Sequence, residues 1–204
     1  MRILDFSFAP NPKRLRLFVA EKNIDIEFEQ VDNTSESHLR APYYEACLSG
    51  QFPVLELDDG SFLSESIAIC RYLEALHPNP ALFGETPLET ARIEMWDRRV
   101  ELGLFRHTAD YFGHTSPFFK DRIEQIPAFA AAARQNALAH LEMVDRALAE
   151  RAFVAGDSFS VADITTYIAI DLGIPSVYEL GPALGNIERW MVEMKSRPSM
   201  SILA

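Results

Sequence analysis

The sequence predicts an α/β domain followed by an all-α domain. Up to residue 76, short apolar segments that alternate like strands are separated by segments with helical periodicity. A stretch rich in proline and glycine follows, from His77 to Pro87. From Leu88 onward the apolar residues recur at helical spacing throughout. Together these observations predict one domain at residues 1–80 and a second at 87–204.

The first half of the α/β domain is predicted to follow a strand–helix–strand order. Arg2–Phe6 is expected to form a strand, Pro12–Lys22 a helix and Ile24–Val31 a second strand. Pro12 suits the first position of its helix, where no backbone N–H is needed. A short helix is expected at Ser37–Ala46. The domain should therefore be a mixed sheet with helices on both faces.

Residues 50–76, GQFPVLELDDGSFLSESIAICRYLEAL, complete this domain. Asp58-Asp59-Gly60 is typical of a hairpin between two short strands, because glycine accepts the positive φ that such turns need. The final helix of the stretch is expected to begin with Ser64 as its N-cap. Apolar residues then recur along one face up to Leu76.

Long helices are predicted for the second domain. The helical pattern covers Leu88–Phe112, Phe118–Arg151, Ser160–Leu172 and a last helix at about Ile187–Lys195. Pro127 is expected to kink or delay the second of these helices. The third of these is apolar on all sides, which is typical of a helix inside a domain.

Ser160 and Asp163 have the spacing of a capping box at the start of that third helix. The serine suits the N-cap, and an acid three residues later can accept from the N-cap backbone N–H. We therefore predict a structural role for Asp163 rather than a catalytic one.

Composition excludes several classes of protein. The chain of 204 residues is 48% hydrophobic and carries a net charge of −11, from 19 basic and 30 acidic residues. This charge argues against nucleic acid or an anionic membrane surface as a partner. No apolar run is long enough to span a bilayer, and the start of the chain lacks the apolar core of a signal peptide. Two cysteines, Cys47 and Cys70, form neither a disulfide framework nor a metal motif, so a cytoplasmic protein without a metal is expected.

The residues between Phe52 and Ser66 offer a site for a small anionic peptide. A proline at the start of a strand, such as Pro53, is sometimes cis, and the backbone of Phe52 would then be able to pair with an extended peptide. A helix N-terminus near Ser64 can bind a carboxylate, and Glu65 can hold an ammonium group. A carboxylate beside an ammonium is an amino-acid head group. Ordinary helix capping and a loop proline explain the same residues without a ligand.

These motifs resemble the glutathione-binding half of the soluble, cytosolic-type glutathione S-transferases. The likeness rests on Gln-Phe-Pro-Val-Leu, Asp-Asp-Gly and Ser-Glu-Ser-Ile-Ala-Ile, and it extends to Phe153–Asp157, the capping box, Trp190 and Arg197-Pro198-Ser199. The resemblance implies a thioredoxin-like N-terminal domain, an all-helical C-terminal domain and, usually, a homodimer. It also implies glutathione as a substrate.

The resemblance assigns the glutathione-binding residues. In the family, the residue before a cis-proline pairs with the cysteinyl part of glutathione, which here gives Phe52 with Pro53. Glu65 and Ser66 match the pair that holds the γ-glutamyl head group, and Gln51 stands where a polar side chain often reaches the glycyl carboxylate. The chain departs from the family in having Phe52 instead of valine or isoleucine, and Cys47-Leu48 instead of Asn-Pro.

The thiol-activating residue is expected in the loop Ser7–Pro12. This loop has no tyrosine and no cysteine, and Ala9 stands at the position of the common catalytic serine. Ala-Pro-Asn resembles the Thr-Pro-Asn of a bacterial class whose asparagine amide approaches the sulfur, which makes Asn11 the first candidate. Ser7 is the second candidate. Asn11 would also serve as an ordinary N-cap before Pro12.

The electrophilic second substrate is expected against the helical domain. The candidate residues are Trp96, Arg99, Tyr111 and Phe112, although aromatic residues in a helical domain also commonly belong to its core.

The resulting interpretation is an enzyme that conjugates glutathione to electrophilic apolar compounds, with peroxide or disulfide reduction by glutathione as a further expectation. The alternative is a glutathione-binding or dimerisation module of the same fold with little catalysis, which Ala9 favours.

Overall fold

The computed structural model describes residues 1–31, 50–174 and 176–203, and these form two compact units. The first contains Met1–Ala81 and the C-terminal segment from Pro198, and the second contains Leu82–Arg197. The predicted α/β domain followed by an all-α domain is confirmed. The segment from Pro198 belongs to the first unit, whereas the sequence assigned it to the helical domain. The helix expected at Ser37–Ala46 and the Cys47-Leu48 departure lie outside the described residues.

The first unit contains a four-stranded sheet in the order β2-β1-β3-β4. Strand β1 pairs in parallel with β2, and β3 pairs antiparallel with both β1 and β4. The hairpin predicted at Asp58-Asp59-Gly60 joins β3 to β4, and Gly60 has the positive φ of 82° that the turn requires. The strands are Arg2–Asp5 (β1), Glu27–Gln30 (β2), Val54–Glu56 (β3) and Phe62–Ser64 (β4).

Among the described residues of this unit, two helices cover the sheet, α1 at Pro10–Glu21 and α2 at Ser66–Leu76. Their apolar faces are buried with the central strands, and fully buried side chains include Ile3, Leu15, Phe18, Leu55, Ile69 and Leu73. A short 3-10 segment, Pro198–Leu203, packs against α1. The sheet thus fixes the positions of two helix N-termini, those of α1 and α2.

Lys22 ties the far end of α1 to the turn after α2. Its side chain is fully buried, and Nζ donates to Glu74 Oε2 and to the carbonyl of Pro80, both at 2.6 Å. A buried charge of this kind is tolerated because it is paired and hydrogen-bonded. The two helices are therefore held together at the end opposite to their N-termini.

The second unit is helical in all its longer elements among the described residues. These are α3 (Pro87–Arg99), α4 (Arg106–Thr115), α5 (Pro127–Leu148), α6 (Val161–Gly173) and α7 (Gly185–Ser196). Thr86 and Glu89 form a capping box at the start of α3.

Two predicted helices differ from those observed. The helix expected at Leu88–Phe112 is interrupted by a π-helical segment, Val100–Phe105, before α4 continues to Thr115. Gly103 lies in that segment, and a Cβ at this position would stand only 2.2 Å from the ring of His140 on α5. The π-helical segment and α5 therefore pack closely at a position where the residue has no side chain. Within the pattern at Phe118–Arg151, the long helix begins at Pro127, the residue expected to kink or delay it, because proline suits a first turn and not an interior.

Helix α6 is the core of the second unit, as its apolar sequence predicts. Asp163 in its first turn is fully buried and accepts four hydrogen bonds. Its Oδ1 accepts from the backbone N–H of Val154 at 2.9 Å and from Trp190 Nε1 at 3.0 Å. Its Oδ2 accepts from the Ser160 N–H at 3.0 Å and the Ser160 hydroxyl at 3.1 Å. The predicted capping box is present, and Asp163 is a structural residue.

Asp163→Asn should lower the free energy of unfolding by about 3 kcal/mol at pH 7.5. An amide has one acceptor oxygen, so its NH₂ group would face two of the four buried donors and leave them unsatisfied. Chemical denaturation measures the loss. The exposed Asp157 provides the control, since Asp157→Asn should change the stability by less than about 0.5 kcal/mol.

The stability difference between the wild type and Asp163→Asn should also depend on pH. Burial raises the pKa of Asp163 to about 6, despite its four donors. A carboxyl group with a raised pKa in the folded state contributes stability at low pH that is lost as the pH rises through that value. Between pH 5 and 7.5 the wild type should therefore lose about 1.4 kcal/mol relative to Asp163→Asn. Equal stability of the two proteins at both pH values would contradict a buried, hydrogen-bonded carboxylate.

Candidate functional site

Helix α1 begins two residues earlier than the sequence predicts. Ala9 occupies the N-cap position with extended backbone angles, φ −78° and ψ 147°, and Pro10 is the first helical residue. Asn11 therefore lies inside the first turn, and the interpretation of Asn11 as an N-cap before Pro12 is wrong. Pro10 and Pro12 both suit the first turn of a helix, and it is Pro10 that begins it.

The two prolines leave Asn11 as the hydrogen-bond donor at this helix N-terminus. Pro10 and Pro12 have no backbone N–H, and the N–H of Ala9 donates to the carbonyl of Phe6 at 2.9 Å. The N–H of Lys13 begins the helical ladder by donating to the Ala9 carbonyl at 3.1 Å. Among these described residues, the backbone N–H of Asn11 is thus the one that the helix leaves for another acceptor, at the positive end of the helix dipole.

Arg14 connects the start of α1 to the start of α2. It is only 3% exposed, and its Nη2 donates to Asn11 Oδ1 at 2.8 Å and to Ser66 Oγ at 2.8 Å. The resemblance assigns Asn11 to the sulfur of glutathione and Ser66 to its γ-glutamyl head group, and both residues accept from one guanidinium nitrogen. Sequence reasoning did not select Arg14, although its position three residues after Asn11 places both on one helix face.

The N-cap of α2 lies one residue later than the prediction. Ser64 ends strand β4 and is not the N-cap, and the helix begins at Ser66 with Glu65 at the cap position. Glu65 has φ 69°, a left-handed conformation that residues other than glycine adopt rarely and at a cost. Its side chain is exposed, whereas Ser66 is 4% exposed. The turn thus places a buried hydroxyl and an exposed carboxylate side by side.

The segment before β3 carries the other predicted glutathione-binding residues. The peptide bond between Phe52 and Pro53 is cis. Phe52 packs against Leu4, Val31 and Val54, whereas the side chain of Gln51 is exposed. The backbone of Phe52 therefore lies directly before the central strand β3, next to a small apolar cluster that holds its ring.

Ser7 lies in the same loop as Asn11 but is held differently. Its backbone N–H donates to Gln30 Oε1 at 3.2 Å, which places it beside the end of β2. The residue is half-buried. The structure places no described contact between Ser7 and Arg14 or Ser66, so Ser7 stands apart from the group formed by Asn11, Arg14 and Ser66.

The four candidates for the second substrate lie in the helical unit, in two groups. Trp96 is 5% exposed and has the guanidinium carbon of Arg99 at 5.0 Å from its ring centroid. Tyr111 and Phe112 are half-buried on α4. The ring of Phe112 makes an edge-to-face contact with Phe119, at 5.8 Å between centroids. Phe112 thus belongs to an accessible aromatic group, Tyr111 is its half-buried neighbour on α4, and Trp96 is mainly a core residue.

Within the described residues, no three or more His, Cys, Asp or Glu side chains lie close enough together to hold a metal ion. No helix in this part of the chain has both the length and the apolar character needed to cross a membrane.

Comparisons with known proteins agree with this geometry. The family model described as "Glutathione S-transferase, N-terminal domain" matches residues 8–76, and that described as "Glutathione S-transferase, C-terminal domain" matches 106–198. The chain is similar to Glutathione S-transferase 2 of Saccharomyces cerevisiae, with 35% identity over 100% of this chain and 89% of the relative.

Two solved structures extend the likeness to the fold. The structure of Gtt2 from Saccharomyces cerevisiae superimposes with a TM-score of 0.93 and 34% identity, covering 100% of both chains. A glutathione S-transferase domain-containing protein from Marinobacter aquaeolei superimposes with a TM-score of 0.91 and 32% identity, covering 98% of this chain and 100% of the other. The thioredoxin-like domain followed by a helical domain is therefore confirmed.

Ser66→Ala should weaken glutathione binding by about tenfold or more. The Ser66 oxygen accepts from Arg14, so its own proton is available for a ligand carboxylate, and one such charge-assisted hydrogen bond has about this effect on affinity. Titration calorimetry measures the change.

Ser64→Ala is the matched control, because Ser64 ends a strand two residues earlier and is half-buried. It should bind glutathione like the wild type. Equal weakening in both variants would show that the loss comes from disturbed packing at this turn and not from the Ser66 hydroxyl.

Proposed function

Because the chain belongs to the glutathione S-transferase family, we propose that it conjugates glutathione to electrophilic apolar compounds, with Asn11 stabilising the thiolate. The observation that carries this proposal is the pair of hydrogen bonds from Arg14 Nη2 to Asn11 Oδ1 and to Ser66 Oγ. One buried guanidinium thus holds a residue suited to the head group of glutathione and a residue suited to its sulfur.

In the proposed complex, the γ-glutamyl head group of glutathione lies at the N-terminus of α2. Its carboxylate accepts from the Ser66 hydroxyl and from the first N–H groups of the helix, close to the buried charge of Arg14. Its ammonium group pairs with the exposed carboxylate of Glu65. This local positive potential matters because the chain as a whole carries a net charge of −11, which would otherwise repel an anionic tripeptide.

The remainder of glutathione extends towards β3. The cysteinyl part pairs with the backbone of Phe52 beside the cis peptide bond to Pro53, as an added strand would. The exposed side chain of Gln51 then faces the glycyl carboxylate. These contacts follow from the resemblance of Gln-Phe-Pro to the family motif, and the observed positions of all three residues are compatible with them.

The orientation of the Asn11 side-chain amide allows it to donate a hydrogen bond to the thiolate. Because Oδ1 accepts from Arg14, the NH₂ group of the same planar amide faces the other way and can donate to sulfur. The backbone N–H of Asn11 offers a second donor at the same helix end. Both donors favour the ionised form of a thiol that is otherwise mostly protonated at neutral pH.

The reaction then needs little further chemistry from the protein. The thiol proton leaves to solvent, and the thiolate attacks the electrophilic carbon to form a carbon–sulfur bond. In a substitution the leaving group departs with its bonding electrons, and in an addition the resulting carbanion takes a proton from solvent. The protein's contribution is to hold the thiolate at a defined position.

The electrophile is proposed to contact the aromatic residues of the helical unit. Tyr111 and Phe112 on α4 are half-buried, and Phe118 beside them is 52% exposed. Edge-to-face contacts join Phe112 to Phe119 and Phe119 to Phe118. An exposed aromatic group of this kind favours an apolar or aromatic second substrate. Trp96 and Arg99 remain predicted members of this pocket.

A binding module with little catalysis is the second candidate, and Ala9 favours it. The residue occupies the N-cap of α1, at the place of the common catalytic serine, and has no hydroxyl to offer sulfur. Reduction of peroxides or disulfides by glutathione stays a prediction from the Ala-Pro-Asn loop and its likeness to a bacterial class. A cytoplasmic homodimer is also part of the proposal, as the family resemblance implies.

Asn11→Asp should abolish most of the thiolate absorbance of bound glutathione, and Asn11→Ala should reduce it. The aspartate keeps an oxygen towards Arg14 but cannot donate to sulfur and brings a negative charge beside it. The alanine removes one donor, which corresponds to a rise of about one unit or more in the thiol pKa. Ultraviolet absorbance across a pH titration measures both variants at saturating glutathione.

Ser7→Ala in the same assay separates the two candidates for thiol activation. If the thiolate signal is lost with Ser7→Ala and kept with Asn11→Asp, Ser7 is the activating residue and the assignment to Asn11 is wrong. A wild type that binds glutathione without any thiolate signal at neutral pH would support the binding module instead.

A further inference from the structure

Two arginines share one indole ring in the helical unit. The guanidinium carbon of Arg99, in the last turn of α3, lies 5.0 Å from the ring centroid of Trp96. The guanidinium carbon of Arg151, in the segment after α5, lies 5.2 Å from the same centroid. Trp96 is buried, Arg99 is exposed and Arg151 is half-buried. One exposed and one half-buried guanidinium group thus contact the same buried aromatic side chain.

Neither arginine is neutralised within the part of the chain that the structure describes. No carboxylate there lies within ion-pair distance of Arg99 or Arg151. The adjacent Arg98, by contrast, forms ion pairs with Asp97, Glu94 and Glu101. In a chain with 30 acidic residues and a net charge of −11, two neighbouring guanidinium groups without a carboxylate are a local concentration of positive charge.

A helix end does not explain Arg99. A cation in a last turn usually interacts with the unsatisfied carbonyl groups of a helix C-terminus. Here the helix continues through the π-helical segment Val100–Phe105 into α4, so that Arg99 lies in the middle of a continuous helical stretch. Its charge therefore has no free helix end to complement.

The contact with Trp96 leaves most of the donor groups of both arginines available. A guanidinium that interacts with the π-system of a ring keeps N–H donors at its edge. Arg151 uses Nη1 for a long contact of 3.5 Å with the carbonyl of Val154. The ring also limits the distance between the two groups, because each guanidinium carbon lies close to the same centroid.

We propose that Arg99 and Arg151 bind a small oxyanion with two negative charges, such as a phosphate group, beside Trp96. Guanidinium groups donate in pairs to the oxygens of phosphates and carboxylates, and two of them favour a doubly charged anion over chloride. The site lies wholly in the helical unit and does not depend on the proposed glutathione site. It gives the helical unit an affinity for small phosphorylated compounds or dicarboxylates.

Inorganic phosphate is the probe that tests this proposal. It is titrated into the intact wild-type protein at constant ionic strength, with sodium chloride replaced by phosphate, while tryptophan fluorescence and the melting temperature are followed. Trp96 should report binding through a saturable change in emission. Trp190, the other tryptophan, is fully buried and donates to Asp163 Oδ1, so its emission should stay constant. The melting temperature should rise with phosphate and not with chloride.

Arg99→Gln and Arg151→Gln should each weaken phosphate binding by about tenfold or more, since each removes charge-assisted hydrogen bonds. Arg122→Gln is the matched control, because Arg122 lies 4.2 Å from the ring centroid of Phe118 in a comparable cation–π contact elsewhere on the unit. It should bind phosphate like the wild type. Glutathione binding should be unchanged in Arg151→Gln, because Arg151 is not among the residues proposed to contact glutathione or the electrophile.

Three results would overturn the proposal. They are the absence of a saturable response to phosphate, wild-type affinity in both Arg99→Gln and Arg151→Gln, and equal weakening in Arg122→Gln. If a glutamine variant does not fold, Arg99→Lys or Arg151→Lys replaces it. Each lysine keeps the charge and removes the paired donors, so weakened binding supports the site and unchanged binding contradicts it.

Discussion

The hydrogen bonds of Arg14 are the interaction on which the proposed site depends. A guanidinium at 3% exposure is costly to bury unless its donors are satisfied. Two of its bonds go to Asn11 and Ser66, at the starts of two different helices. The hydrogen bonds of Nη2 in this buried guanidinium therefore fix the relative positions of two residues that are 55 positions apart in the sequence. The side chain of Arg14 thus contributes both to the packing of the first unit and to the geometry of the proposed site.

The rest of the first unit keeps those two helix starts in place. The sheet carries β1 into the loop before α1 and β4 into the turn before α2. At the other end, Lys22 joins α1 to α2 and to the following turn through Glu74 and the Pro80 carbonyl. The left-handed backbone of Glu65 is a cost that persists because strand and helix are both fixed around it. The helical unit is organised separately, around the four hydrogen bonds of Asp163.

Much of this could be predicted from local sequence. The hairpin at Gly60, the capping box of Ser160 and Asp163 and the buried helix α6 each depend on residues close together in the chain. The predicted start of α1 differs from the observed one by two residues and that of α2 by one residue, for the same local reason. Pro10 and Pro12 fit a first turn equally well, and Ser64 and Ser66 flank Glu65. Local sequence therefore leaves the exact start of each helix open, and tertiary structure decides it.

Arg14 was beyond sequence reasoning for a different reason. Its importance depends on contact with Ser66, and nothing in a helical pattern shows which residue of a later helix will face it. The π-helical segment at Gly103 has the same origin, because the close approach of His140 comes from a different helix. Long-range packing decides these features, and single-sequence patterns contain little information about it.

The most direct test of this account is the substitution Arg14→Lys, with glutathione affinity and the pKa of the bound thiol measured on the same samples. Lysine keeps the positive charge, but its single ammonium group on a different stem does not reproduce the planar donors that reach both Asn11 and Ser66. The account predicts that affinity falls and the thiol pKa rises together in the folded variant. A folded Arg14→Lys protein in which both quantities equal those of the wild type would contradict it.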